Sequence, residues 1–329
     1  MFFKCWCLNP PKTKYDVNVI PLKEGVKETI ASTSTGTEKT RDDNLAISSH
    51  PSDSESVEPA KRRIEVSFDR YKRAKSFFRK GNYEEALEYY QKMLESKQEA
   101  LGETHEEVAS LQYDIGLTLK NMDRPDEALT YFQKCLSSRI LNHGEGHDDV
   151  AEVSSAIGDV YVSLKEYRKG LSFYSQAIEV YEKTKSKYHK QLGYLYTNAG
   201  TLADMIAQYE EALKYHQKAL ELNKRYSGED HVDTAISYTN LGLVYIALGK
   251  YKEAFENITK GKEIREQSLD KNHPDLAISY NALGMVLAHQ GKYDLAMENA
   301  QMSLDMRISS FGEESQETAE SHDTIALIY

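Results

Sequence analysis

Cysteine is scarce, with three in 329 residues. That is too few for a disulfide framework, which points to a reducing compartment and a cytoplasmic location. Long apolar runs are also missing, and no stretch approaches the ~20 residues a bilayer-crossing helix needs. Basic charge is in deficit, with 41 Lys+Arg against 52 Asp+Glu and a net charge of −11. A general nucleic-acid binder needs the reverse, because its cations must replace the counterions of the phosphates. Phosphate-cradling Gly-x-x-x-x-Gly-Lys-Ser/Thr loops and Gly-x-Ser-x-Gly elbows are missing as well, so no enzyme activity and no cofactor are expected. With 40% hydrophobic residues there is still enough apolar material for a large folded core.

Residues 1–60 differ from the rest. The segment 29–56 is rich in Ser and Thr and has almost no large apolar side chains. It cannot bury enough surface to offset its ordering entropy and reads as a disordered tail. Two chemical features lie in this tail. Cys5 and Cys7 flank Trp6 beside Phe2 and Phe3, a setting suited to S-acylation. Two acyl chains, or one with the basic stretch over 61–80, would give the two signals that stable membrane association needs. The plainer alternatives are a free thiol pair and a solvated basic helix face. The second feature, Ser52-Asp53-Ser54-Glu55-Ser56, has the acidic context of a phosphorylation site.

From about residue 61 onward the chain repeats itself. Gly116, Gly158, Gly200, Gly242 and Gly284 each lie 42 residues after the last, and Ala74 and Ala326 extend the series at both ends. Ala86, Ala128, Gly170, Ala212, Ala254 and Ala296 keep the same step, as do His105, His147, His189, His231 and His273. Within each unit the apolar residues follow helical spacing: Tyr238, Leu241, Gly242 and Tyr245 fall on one stripe. Gly81, Gly249 and Gly291 end the first helices, since glycine takes the left-handed position at no steric cost. A glycine inside a helix costs ~1 kcal/mol against alanine, so the Gly116 series implies a close helix–helix approach. Six full copies are expected, over 63–104, 105–146, 147–188, 189–230, 231–272 and 273–314, with a seventh from 315 that stops inside its first helix. Ile325, Leu327 and Ile328 then lack a second helix. This allows two readings: a truncated sequence, or a last helix that acts as a cap or a self-association contact. The histidines cannot share a metal, because equivalent residues of successive repeats are more than ~8–10 Å apart. They are expected to bond at the starts of the first helices instead.

The pattern Tyr-x-x-Leu-Gly-x-x-Tyr, followed by Ala and an aromatic, resembles the tetratricopeptide repeat. The 42-residue period, with Gly249-Lys250-Tyr251-Lys252-Glu253-Ala254 and the linker Asp270-Lys271-Asn272-His273-Pro274-Asp275, resembles the repeats of kinesin light chains. The resemblance implies an all-α, right-handed superhelical solenoid over 61–329. It does not extend to a motor subunit, because residues 1–60 lack the a/d heptads of the coiled coil that precedes the repeats in that family.

The resemblance also implies a concave groove lined by first helices, in which an extended peptide or partner segment binds. The family's groove positions fall here on Thr197, Thr239 and Asn281, on Asp114, Asn198 and Asn240, and on Asp159 and Asp204. Asn198, Asn240 and Asn281 form a partial ladder whose amides could grip a peptide backbone or could bond between neighbouring helices. The three aspartates would make the middle of the groove acidic. No copy supplies the Lys-Asn pair of a carboxylate clamp, so a neutral or basic peptide is the expected ligand. The function this implies is a non-catalytic interaction scaffold or adaptor. A self-associating structural protein and a repeat fragment of a larger sensor or enzyme are the alternatives.

Overall fold

The computed structural model describes residues 69–183 and 189–329. The expectations for Cys5, Cys7, residues 52–56 and the first part of the basic stretch lie outside these residues. All regular structure among the described residues is helical, and no described helix is long and apolar enough to cross a membrane. The helices fall in pairs that follow the 42-residue register. They are α1 (69–79) with α2 (Tyr83–Leu101), α3 (Glu106–Asn121) with α4 (Pro125–His143), and α5 (Asp148–Ser163) with α6 (Tyr167–Lys183). Then come α7 (His189–Met205) with α8 (Tyr209–Tyr226), α9 (Val232–Ala247) with α10 (Tyr251–Ser268), and α11 (Pro274–His289) with α12 (Tyr293–Phe311). The last helix, α13 (Gln316–Ile328), stands without a second member. Each helix packs on the next in the chain, and first helices also touch first helices, as α3 touches α5 and α9 touches α11.

The close approach behind the glycine series is visible. A Cβ on Gly116 would lie 2.7 Å from the Phe132 ring, and one on Gly158 would lie 2.6 Å from Tyr174. His216 crowds Gly200 in the same way, and Ile258 crowds Gly242. In these four copies the partner is the residue 16 positions later, on the second helix, whereas Gly284 meets Ala296 O at 3.2 Å and Thr324 at 3.3 Å. The partner's size sets how closely that pair can pack. The alanines of the second series, from Ala86 to Ala296, are fully buried.

Four of the five repeat histidines cap the starts of first helices as expected. The Nδ1 atoms of His105, His147, His231 and His273 each accept the backbone N–H two residues on, at 3.2 Å. This satisfies one of the donors a helix start leaves open. Ser315 fills the position in the seventh copy and accepts from Thr318 N at 3.1 Å. The fifth repeat histidine, His189, is the first residue of α7 and stacks on Tyr226 with ring centroids 4.2 Å apart. At the turn after each first helix, Gly81, Gly249 and Gly291 have positive φ, but Asp123, Lys165 and Ala207 occupy the same register with φ of 56°, 59° and 61°. The left-handed turn is a property of the repeat, and three copies adopt it without glycine.

The expectation that Ile325, Leu327 and Ile328 are all uncovered holds only for Leu327. Ile328 is buried and Ile325 half-buried against the core built by α11 and α12, while Leu327 is exposed.

Candidate functional site

The first helices present their groove positions in sequence, and the chemistry changes along the row. At the N-terminal end, Tyr71 on α1 donates its hydroxyl to Asp114 Oδ2 on α3 at 2.7 Å, and the Lys75 ammonium lies over the Tyr71 ring. Burial pushes the Asp114 carboxyl up to about 6, against the opposing pull of Lys75 and the Tyr71 hydrogen bond. One repeat on, Asp159 of α5 pairs with Lys120 of α3 at 2.8 Å. Its other oxygen accepts from Tyr174 OH at 2.7 Å and Tyr194 OH at 2.8 Å. Asp114 and Asp159 are thus knots between successive repeats. Lys120 also removes part of the acidity that three aspartates would give the groove. Asp204 is half-buried on α7.

In the C-terminal half the groove positions carry amides. Asn198 lies within hydrogen-bond reach of Tyr194 on its own helix. Asn281 Nδ2 reaches only the sulfur of Met285, one turn on, and its Oδ1 is buried with no partner. Asn240 is half-buried on α9 and has no hydrogen-bond partner among the described residues. No Asn–Asn bond joins neighbouring helices there. Thr197 bonds back to Gly193 O of its own helix at 2.9 Å.

Thr239 departs from the expectation. It is 1% exposed, its hydroxyl donates to Ala235 O at 3.0 Å, and it accepts from Arg265 Nη1 at 2.7 Å. A ligand in the groove cannot reach it, because Arg265 enters the core behind α9 and claims its oxygen.

Arg265 belongs to a series that the repeat register contains and the expectations missed. Residues 139, 223, 265 and 307 are Arg, Asn, Arg and Arg, each near the end of a second helix. Arg139 donates to Asp149 O at 2.9 Å and to Glu152 at 3.0 Å. Asn223 donates to Asp233 O and Ser237, Arg265 to Thr239 and Ser279, and Arg307 to Glu317 O and Ser321. Each reaches from one repeat into the first helix of the next, so the series fastens the repeats together. A cation or amide at 42-residue spacing on an otherwise apolar second-helix face was the available signal. None of these contacts forms a catalytic constellation. The Cys135 thiol is buried on α4, which pushes its pKa up to about 12 and leaves it unreactive.

The tetratricopeptide-repeat family model matches the chain over residues 70–140, 108–183, 149–225, 193–267 and 244–309. Among curated proteins none matches the chain. BtubC (BKLC) from P. vanneervenii is similar in structure, with a TM-score of 0.57 and 18% identity, over 71% of this chain and 92% of that one. A putative kinesin light chain with nearly identical TPR-like repeats from Podosopora anserina gives 0.54 and 15%, over 63% and 98%. The STAND protein with a tetratricopeptide repeat sensor PH0952 from Pyrococcus horikoshii gives 0.62 and 15%, over 80% of this chain but 39% of that one. At these identities the likeness is one of fold.

Proposed function

The chain belongs to the tetratricopeptide-repeat family, a protein-interaction scaffold whose repeats here resemble those of kinesin light chains, and from that premise we propose that it is a non-catalytic adaptor. Its ligand is an extended, neutral or basic peptide or partner segment that lies along the first helices and takes backbone hydrogen bonds from Asn198, Asn240 and Asn281. The observation that carries this reading is the open hydrogen-bonding capacity of Asn240, which is half-buried and has no partner among the described residues. A half-buried amide without a partner in the chain is a ready donor and acceptor for a strand of any sequence. Asp204 adds a half-buried carboxylate on the helix that carries Asn198, and Lys120 and Lys75 balance Asp159 and Asp114.

The test is selection of displayed random peptides on the full chain, with counter-selection on the Asn198→Ala/Asn240→Ala double variant. Circular dichroism should show equal helicity for the two proteins. Peptides that bind only the unaltered chain support the groove. Peptides that bind both equally place recognition elsewhere, and a double variant that unfolds returns the amides to a structural role.

A further inference from the structure

One cluster of side chains lies outside the groove and includes a histidine that no other copy has at its position. Glu106 at the start of α3, His143 at the end of α4 and Asp149 at the start of α5 place one ligand atom each within 4.8 Å of one another. His143 Nε2 lies 3.0 Å from Glu106 Oε2. We propose that these three residues form a site for a divalent transition-metal ion of the zinc type, which ties the second repeat to the third.

The repeat supplies its own control. Position 143 recurs as Leu101, Lys185, Ser227, Leu269 and Phe311; position 106 recurs as Asp148, Lys190, Val232, Pro274 and Gln316; position 149 recurs as Glu107, Gln191, Asp233, Asp275 and Glu317, so the acid there belongs to the repeat and the histidine does not. Among the described residues, only at the junction of the second and third repeats do a His and two carboxylates meet in this way, so packing does not require this set. Imidazole with carboxylates suits zinc and its transition-metal neighbours, whereas magnesium and calcium prefer all-oxygen shells.

Both carboxylates have neighbours in the chain: Asp149 Oδ2 lies 3.2 Å from His147 Nδ1, and Ser110 donates to Glu106 Oε1 at 3.4 Å, contacts that a bound ion would replace or share. The nearby cation, Arg139, is 6% exposed and gives its Nη1 to Glu152 at 3.0 Å, so its charge is already balanced. Its Nε is buried without a partner and lies 3.9 Å from Glu106 Oε1. A shift of Glu106 toward it would close that bond and leave Oε2 facing His143. A buried donor that orients a carboxylate in this way is a common companion of metal ligands. The segment between His143 and Asp149 contains Gly144, with φ +83°, and Gly146. It can give the short contraction from ligand atoms within 4.8 Å of one another to the ~3.3 Å separation that ~2 Å bonds to one tetrahedral ion require. Metal binding needs the Nδ1–H tautomer of His143, with the Nε2 lone pair on the ion. His147, stacked on His143 with centroids 4.6 Å apart, keeps its Nδ1 on the Asp149 N–H and is not a ligand.

The test uses the full chain with Cys5→Ser and Cys7→Ser, so that tail thiols cannot take up metal. Zinc is titrated against a chromophoric chelator, and Co2+ is added to read its visible bands. One zinc per chain, a higher melting temperature with zinc but not with Mg2+ or Ca2+, and at least about tenfold weaker uptake by His143→Ala would support the site. Glu106→Gln should weaken uptake by a similar factor. His143 sits at an exposed helix end, so the variant's unchanged circular dichroism should confirm its fold. No saturable uptake, or equal uptake by His143→Ala, would overturn the proposal.

Discussion

The two halves of the groove use the same helical positions for opposite purposes. In the N-terminal half, Tyr71, Asp114, Lys120, Asp159, Tyr174 and Tyr194 spend their polar groups on one another across four repeats. In the C-terminal half, Asn240 and Asn281 keep hydrogen-bonding capacity that nothing in the described chain uses. A polar residue in a solenoid groove therefore does not by itself mark a binding site. What distinguishes the halves is whether the polar groups are already paired, since an unpaired half-buried group gains most from a ligand.

The sharpest test of that contrast is Asp159→Ala. It removes the acceptor shared by Lys120, Tyr174 and Tyr194 and strands a buried tyrosine hydroxyl. Urea unfolding should show a loss of about 3 kcal/mol. A loss below about 1 kcal/mol would mean that the network is decorative and the halves are alike.

Asp114 gives the next effect and works through pH. Its folded pKa of about 6 lies above the ordinary 3.8, so the folded chain holds a proton that the unfolded chain releases. The protonated form stabilises the fold fully below about pH 4, and this contribution is lost as pH rises through about 6. Asp114→Asn should therefore stabilise the protein by about 1–2 kcal/mol at pH 7 and flatten its stability profile between pH 4 and 6. Thermal melts across that range would check both. An unchanged profile would place Asp114 in a watery setting.

Between the halves, Ala207 holds φ at 61° in the turn from α7 to α8. Ala207→Gly should stabilise by about 1 kcal/mol, since glycine carries no Cβ penalty there. The smallest effect belongs to the C-terminal half. Asn240→Ala should change stability by no more than about 0.5 kcal/mol, because no bond in the described chain is lost.

The architecture was legible because each repeat states it again. The Gly116 series predicted a close crossing, and Phe132, Tyr174, His216 and Ile258 supply it. The histidine series predicted helix starts, and four of the five members cap one. The site was less legible, for reasons of register. Thr239 shares its position with Thr197, but only Thr239 meets an arginine from the next helix, so the same slot is groove in one copy and core in the other. The fastening series at 139, 223, 265 and 307 keeps the 42-residue register but skips position 181, a tyrosine, and mixes Arg with Asn, which conceals it from a search for identical residues. Asp159 looked like a free acid because its partners come from 39, 15 and 35 residues away in sequence. No local pattern announces such contacts. In the cluster at Glu106, His143 and Asp149 it is His143 that breaks the repeat, and periodicity is blind to what occurs once.

The central claim is that the open amides, and not the paired acids, hold the ligand. Fluorescence anisotropy with a peptide selected on the full chain tests it most directly, when the unaltered protein is compared with Asn240→Ala/Asn281→Ala. Loss of two backbone hydrogen bonds should weaken binding about ten- to a hundredfold while the melting temperature stays unchanged. Equal affinity for both proteins would contradict the account.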